Sequence, residues 1–384
     1  MHMSKNIRLP HLGRFAATLL LAAALSISTV LGIGCLSTRS AADGRAPRRY
    51  SIAVLGDIHY DAQPPERFHA AGKPLNHQRN IMMWDKEMPA ILGASASLVG
   101  PDTSFALQLG DVTDGSTRDY GAHTQMLAEA TAVLKKTYPD IPVIPVCGNH
   151  DILGAGGKAY NDFMVPWLAK EVAGLTTNAV KSSTFGFRHG PDLWIFINFN
   201  DANGTVPTVE RLLAANPDAR YTFVALHGPV LPMDIWKCRW FYLGAESLDK
   251  VRRHVRALLA QRNAIVLAGH VHSLEYKDWF GDGGRITEMV LNSVSRSGDK
   301  SLKPAEPKVY SETPADYGAW LKTAPTNAAN AKFEALYEEY RPGLKARFAA
   351  SAVGHHVLRV SDSGVVLEYY GRDALKPTKT FRLR

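Results

Sequence analysis

Eight side chains in this sequence share metal-ligand chemistry and a common setting. Asp57 and His59, Asp111, Asn149 and His150, His227, and His270 and His272 each lie where a short apolar run gives way to Gly or Asn. Taken singly, each has an ordinary explanation: an Asp caps a helix, a His fills a core position, Gly-Asp makes a turn. Taken together, they are too polar to be assembled without a charge to neutralise them. Four of the His, with the two Asp and the Asn, offer imidazole nitrogen and oxygen but no thiolate. That set suits Zn²⁺, Mn²⁺ or iron rather than a soft-metal site or an oxygen-only Ca²⁺ cage. Seven donors exceed the need of one tetrahedral ion and are enough for two if a carboxylate bridges them.

The elements that must position these residues follow from the pattern around them. "YSIAVLGDIH", "SFALQLGD", "IPVIPVCGNHD", "LWIFINFN", "TFVALHG" and "AIVLAGHVH" are short, rich in β-branched and aromatic residues, and read as buried strands. Between them, stretches such as "TRDYGAHTQMLAEATAVLKK" and "ESLDKVRRHVRALLAQR" place apolar residues three and four apart, as amphipathic helices do. Strand and helix in alternation predict an α/β protein with a largely parallel sheet. In such a sheet the carboxyl ends of the strands form a crevice, where residues distant in sequence meet. Residues two apart on a strand share a face, so Asp57 with His59, and His270 with His272, are expected to point into it together.

In order along the chain, "GDIH" (56–59), "GDVTD" (110–114), "GNHD" (148–151), "LHGP" (226–229) and "GHVH" (269–272) resemble the five motifs of the calcineurin-like metallophosphoesterases. The resemblance spans roughly residues 50 to 295. It implies a double β-sheet sandwich flanked by helices, four layers in the order α/β/β/α. It also implies that Asp57, His59, Asp111 and His272 hold one divalent transition-metal ion (Mn, Zn or Fe), and that Asp111, Asn149, His227 and His270 hold a second, with Asp111 bridging. His150, by the same resemblance, faces the substrate as general acid. Asp151 either holds that ring protonated or caps the segment that follows. Two cations would make a shared water nucleophilic near neutral pH and hold it in line with phosphorus, so the expected reaction is hydrolysis of a phosphate ester without a covalent enzyme intermediate. Purple acid phosphatases carry a Tyr three residues after the bridging Asp; here that residue is Asp114, which argues against an Fe(III) phenolate centre.

The remaining features bound the substrate and the compartment. "LPMDIWKCRWFYLG" follows His227 and interleaves Trp236 and Trp240 with Lys237 and Arg239. These four either grip a phosphate ester through ring and cation together, or pack the loop onto the sandwich. Lys5, Arg8 and Arg14 precede an uncharged apolar run from Phe15 to Gly34, which predicts a secretory signal over residues 1–42. Cleavage near "SAA" (40–42), lipidation of Cys35, or retention as an anchor are the three endings. The product is expected in the periplasm, at the cell surface or outside, touching membrane only in the last two cases.

The formal net charge is +8, and without Lys5, Arg8, Arg14 and Arg39 the processed chain carries 40 basic and 36 acidic groups. That modest, scattered excess predicts a small phosphate ester as partner and no stable nucleic-acid partner, which would need a clustered basic face. Phosphodiesters are the expected substrates, with a phosphomonoesterase, a nuclease or a non-catalytic binding module as rivals. Cys147 and Cys238 are expected to be ordinary buried thiols. Residues 43–384 are expected to form the phosphoesterase domain, with a surface insertion at about 298–350 and a C-terminal β-hairpin at about 355–371.

Overall fold

The structure is a computed structural model that describes residues 48–70, 75–233, 242, 246–294, 306–323 and 328–384. The proposed signal over residues 1–42 lies outside these. Among the described residues, no helix is long and apolar enough to cross a membrane.

The chain begins with three parallel neighbours, β1 (Tyr50–Leu55), β2 (Thr103–Gln108) and β3 (Val143–Pro145). It then builds a second sheet from β4 (Phe185–His189), β5 (Asp192–Ile197), β6 (Thr222–Leu226), β7 (Ile265–Ala268), β8 (Leu274–Gly281), β9 (Gly284–Val290), β10 (Lys308–Ser311) and β11 (Leu344–Ser351). Finally β12 (Gly354–Ser361), β13 (Gly364–Gly371) and β14 (Lys379–Arg382) return to the first sheet. The strand orders are β14-β13-β12-β1-β2-β3 and β10-β11-β8-β9-β7-β6-β5-β4. In the second sheet β5, β6, β7 and β9 run parallel, and antiparallel strands flank them.

Successive side chains of a strand point to opposite faces, and here both faces are covered. From β1, Ile52 and Val54 enter the space between the sheets, where they join Phe105, Trp194, Phe196 and Phe223. Ala53 and Leu55 point the other way, among Ile91 of α2 (Met88–Ser97) and Met126 of α3 (Tyr120–Thr137). In β6, Phe223 and Ala225 face inward, while Val224 and Leu226 meet Val209 of α5 (Ala202–Ala215) and Val255 of α6 (Asp249–Gln261). The molecule is therefore an α/β/β/α sandwich, and what the residues alone suggested as one parallel sheet is two mixed ones.

Two segments depart from expectation. Much of the proposed surface insertion is structural: β11 pairs with β8 and β10, and α7 (Ala328–Tyr340) brings Tyr337 and Tyr340 into the core beside Trp279 and Tyr317. The Lys, Pro and Ala content suggested a surface, but the aromatic residues decide the packing, each burying a large apolar area. Helix α5 forms although Gly204 and Pro207 disfavour a helix interior; Asp201 starts it by accepting the Gly204 N–H at 2.7 Å.

The C-terminal hairpin of β12 and β13 places His355 and His356 in the interior of the fold, both fully buried and neither with a well-formed hydrogen bond at a ring nitrogen. Burial disfavours the imidazolium, partly offset for His355 by Asp373, and holds His355 down to about 4; burial and its neighbour push His356 well below the usual value. The unfolded chain binds these protons at about pH 6.5, so acid favours unfolding: the penalty is absent above that pH, grows as pH falls toward 4, and is constant beneath the folded values. Between pH 7 and 5 His355 should cost roughly 2 kcal/mol, at about 1.4 kcal/mol per pH unit below 6.5, and His356 acts in the same direction. Urea midpoints at the two pH values should therefore diverge less in His356→Leu than in the parent chain; an equal divergence would remove His356 from the acid response.

Candidate metal centre

Every candidate ligand lies just past the carboxyl end of a strand. Asp57 and His59 follow β1, Asp111 follows β2, Asn149 follows β3, His227 follows β6, and His270 and His272 follow β7. They converge for a reason other than the strand pleat, because the strands stop at Leu55 and Ala268, before the residues in question. His59, Asp111, His270 and His272 instead have φ of 44°, 51°, 74° and 56°. Left-handed backbone at a non-glycine residue is strained and is retained where surrounding structure enforces it. The turns depend on close backbone approach as well: a Cβ on Gly148 would strike the Asp111 main chain, so that position is restricted to glycine.

The donor atoms form two groups. His272 Nε2 is 2.9 Å from Asp57 Oδ2 and 3.0 Å from His59 Nε2. His227 Nε2 is 3.2 Å from Asp111 Oδ2, 3.1 Å from Asn149 Oδ1 and 3.1 Å from His270 Nδ1. Asp111 Oδ2 also lies 3.8 Å from His59 Nε2, between the two groups. Ligands about 2.1 Å from one ion stand roughly 3.0 to 3.4 Å apart along the edges of an octahedron or tetrahedron. These spacings match that range, and imidazole nitrogens facing each other at 3.0 Å suit a shared cation better than one another. The residues present therefore fit the two ions expected.

Surrounding bonds fix which atom each ligand presents. His227 Nδ1–H donates to the Leu109 carbonyl at 2.7 Å, which leaves the Nε2 lone pair for coordination. Asp57 Oδ1 accepts the His270 N–H at 3.0 Å and Asp111 Oδ1 accepts the His150 N–H at 2.8 Å, so each carboxylate turns its other oxygen inward. The carboxylates demand positive charge from their neighbours. Burial alone would lower His227, but Asp111 and Asp57 hold it up to about 9. Burial and then the His227 charge push the adjacent His270 down to about 3. Burial would raise Asp111, but His227 and His150 hold it well below the carboxylate range.

His150 opens a single 3₁₀ turn, His150–Ile152, and its side chain is 30% exposed where Asp57, His59, Asp111 and His227 are buried. Its Nδ1–H donates to the main-chain carbonyl of Asp114 at 2.7 Å, which leaves Nε2 for a substrate oxygen. Burial lowers its basicity, but Asp111 and the Asp114 carbonyl more than compensate, and its pKa is raised. Asp151 takes neither of its two expected roles, since the helix that follows is capped at Ala155 without a side-chain bond. Its carboxylate accepts from Thr113 N at 2.9 Å, Thr113 Oγ1 at 3.1 Å and Gly148 N at 2.9 Å, and so ties together the loops after β2 and β3 rather than holding the His150 ring.

The residue that does support the ring is Asp114, which the sequence marked only as a missing tyrosine. Its carboxylate lies 3.6 Å from His59 Nδ1 and 3.9 Å from His150 Nδ1, and it accepts from Asn80 Nδ2. The signal was the second Asp of "GDVTD". Phe199 has no sequence signal of its own: its ring centroid is 5.6 Å from that of His227 and 5.2 Å from that of His270, which shields the second group of donors. Trp84 donates to the His59 carbonyl at 2.9 Å from α1 (Leu75–Lys86), a contact no local pattern announces. Trp236, Lys237, Arg239 and Trp240 lie outside the described residues, as does Cys238, whereas Cys147 is buried with a free thiol.

The family model described as calcineurin-like phosphoesterase matches residues 50–274. Among solved structures, the chain is similar to GAP50, the anchor in the inner membrane complex of Plasmodium, at 14% identity over 88% of this chain and 89% of that one, with a TM-score of 0.46. It is similar to PhoD at 10% identity over 89% and 69%, TM-score 0.48. It is also similar to a dimetal phosphatase from Danio rerio at 11% identity over 88% and 99%, TM-score 0.49. The comparison with curated proteins gave no match.

Proposed function

This chain is a member of the calcineurin-like phosphoesterases, metal-dependent hydrolases of phosphate esters, and on that footing we propose that it is exported and cleaves phosphodiesters, with His150 protonating the departing oxygen. The observation that carries the hydrolytic reading is the pair of donor groups meeting at Asp111, with His150 partly exposed beside them. Two divalent cations, when bound, supply Lewis acidity: they acidify water toward neutral pH and offset negative charge on the phosphate oxygens. Asp57, His59, Asp111 and His272 would hold one, and Asp111, Asn149, His227 and His270 the other.

The protein's own groups do the rest. Asp111 Oδ1, through the His150 N–H, fixes the acid relative to the ligands. The Asp114 carbonyl holds Nδ1, so the proton delivered to substrate is the one on Nε2. The negative neighbours that raise His150 keep that proton available near neutral pH. Phe199 covers His227 and His270 and limits solvent access from that side.

Two features favour diesters and export. Among the described residues, every ion pair reaching Asp57 or Asp111 comes from a histidine, and a diester, with its single negative charge, asks less countercharge of such a site than a monoester does. The basic head and apolar run of residues 1–42 support passage across a membrane, where small phosphate esters rather than intracellular messengers are the available substrates. Hydrolysis of a bis-aryl phosphate should exceed that of the mono-aryl phosphate and should rise on adding Mn²⁺ or Zn²⁺. Preference for the monoester would replace this reading with that of a phosphatase.

A further inference from the structure

At the end of the second sheet remote from the histidines, a cleft of about 460 Å³ is lined by Arg220, Arg262, Arg285 and Arg384, with Tyr221 and Asn263 in its wall. Tyr221 precedes β6 and Asn263 precedes β7, whereas His227 and His270 follow those strands. At about 3.3 Å per residue, the length of β6 alone separates the two sites by roughly 17 Å. The cleft is therefore no part of the metal centre.

Two of its four guanidiniums are paired with a carboxylate, Arg285 through its Nε alone. Arg220 forks onto Asp192 at 2.9 and 2.6 Å and reaches Asp362 at 2.5 Å. Arg285 Nε donates to Asp278 at 2.6 Å. The other two have no carboxylate partner among the described residues. Arg262 donates to the carbonyls of Leu213, Asn216 and Pro217, and its Nε is buried without a hydrogen-bond partner. Arg384 donates to the Thr287 hydroxyl and to the carbonyls of Asn263, Ala264 and Leu383. Neutral carbonyls satisfy N–H groups but leave the net charge in place. Burial and then the neighbouring Arg285 pull Arg384 down to about 10, against a smaller opposing pull from Asp278.

We propose that this cleft binds a phosphate-type oxyanion between Arg262, Arg285 and Arg384, at a site separate from catalysis. Rigid guanidinium forks match the oxygen spacing of phosphate, and the wall offers amide and hydroxyl groups rather than an apolar floor for a hydrophobic ligand. Free phosphate and the phosphoryl group of a small ester carry the same chemistry. The site does not depend on the hydrolase assignment.

The test is calorimetric titration of inorganic phosphate, and of methyl phosphate in parallel, into the full chain carrying Asp111→Ala, whose catalytic centre is disabled. One phosphate should still bind per chain, and Arg262→Gln or Arg285→Gln in that background should weaken it about tenfold or more, the scale of one lost charge-assisted bond. Arg262→Lys should restore part of the loss. Tighter binding of methyl phosphate would identify an esterified ligand, equal binding a free anion. Because Arg262 also caps α5, Arg285→Gln decides the matter if the first variant does not fold. No phosphate binding in the folded Asp111→Ala chain, or affinity unmoved by either substitution to Gln, overturns the proposal.

Discussion

Asp111→Ala should emerge from gel filtration with fewer than two metal ions per chain by elemental analysis, even after incubation with excess Mn²⁺ or Zn²⁺. Among the seven donors, the Asp111 carboxylate stands between the groups: its Oδ2 is 3.2 Å from His227 Nε2 and 3.8 Å from His59 Nε2. Loss of a supporting partner to a ligand costs roughly 10- to 100-fold in metal affinity, and loss of a ligand shared by two ions should cost more. Metal content is the right readout because the substitution has a second effect. Asp111 Oδ1 also accepts the His150 N–H, so activity would fall even if the ions stayed. Asp111→Asn separates the two effects, since an amide oxygen can still accept that N–H while the bridging charge is gone. Two ions per chain in the alanine variant would refute the bridge.

The grouping of the candidate donors was readable from sequence because its information is local. Each ligand follows an apolar run short enough to be a buried strand, and the identity of the donors needs no tertiary knowledge. The route by which they converge was not readable. Side-chain alternation along a strand was the expected device, yet left-handed turns at His59, Asp111, His270 and His272 do the work, and these residue types do not announce positive φ as glycine would. Contacts between remote segments were likewise invisible. Asp151 is adjacent to His150 in the chain, but its bonds go to Thr113 and Gly148, while Asp114, 36 residues away from His150, meets the ring.

The fold shows the same division. Strands buried on both faces appear as continuous apolar runs, and β1, β2, β3, β5, β6 and β7 were evident as such. Strands β8 to β11 alternate charged with apolar residues and bury some of the charge, as with Lys277 between Glu275 at 3.1 Å and Glu288 at 3.5 Å. Composition alone assigns such residues to the surface, because only the pairing makes their burial tolerable.

His150→Ala should keep both ions and lose about 10²- to 10⁴-fold in kcat, the scale of a general acid. Metal retention follows from geometry: the ring's Nδ1 is bonded to the Asp114 carbonyl at 2.7 Å, and the contacts that join His227 to Asp111 and His272 to Asp57 do not pass through it. The rate loss should depend on the alcohol released. An alkoxide needs a proton as the P–O bond breaks, whereas a nitrophenolate leaves without one, so the defect should be large for an alkyl ester and shrink toward unity for a nitrophenyl ester. A ring that only neutralised phosphate charge would instead impose the same loss on both. Full activity toward the alkyl ester would remove His150 from the chemistry, and loss of metal would make it a ligand. A uniform defect with both ions retained would reassign it from proton donor to phosphate clamp.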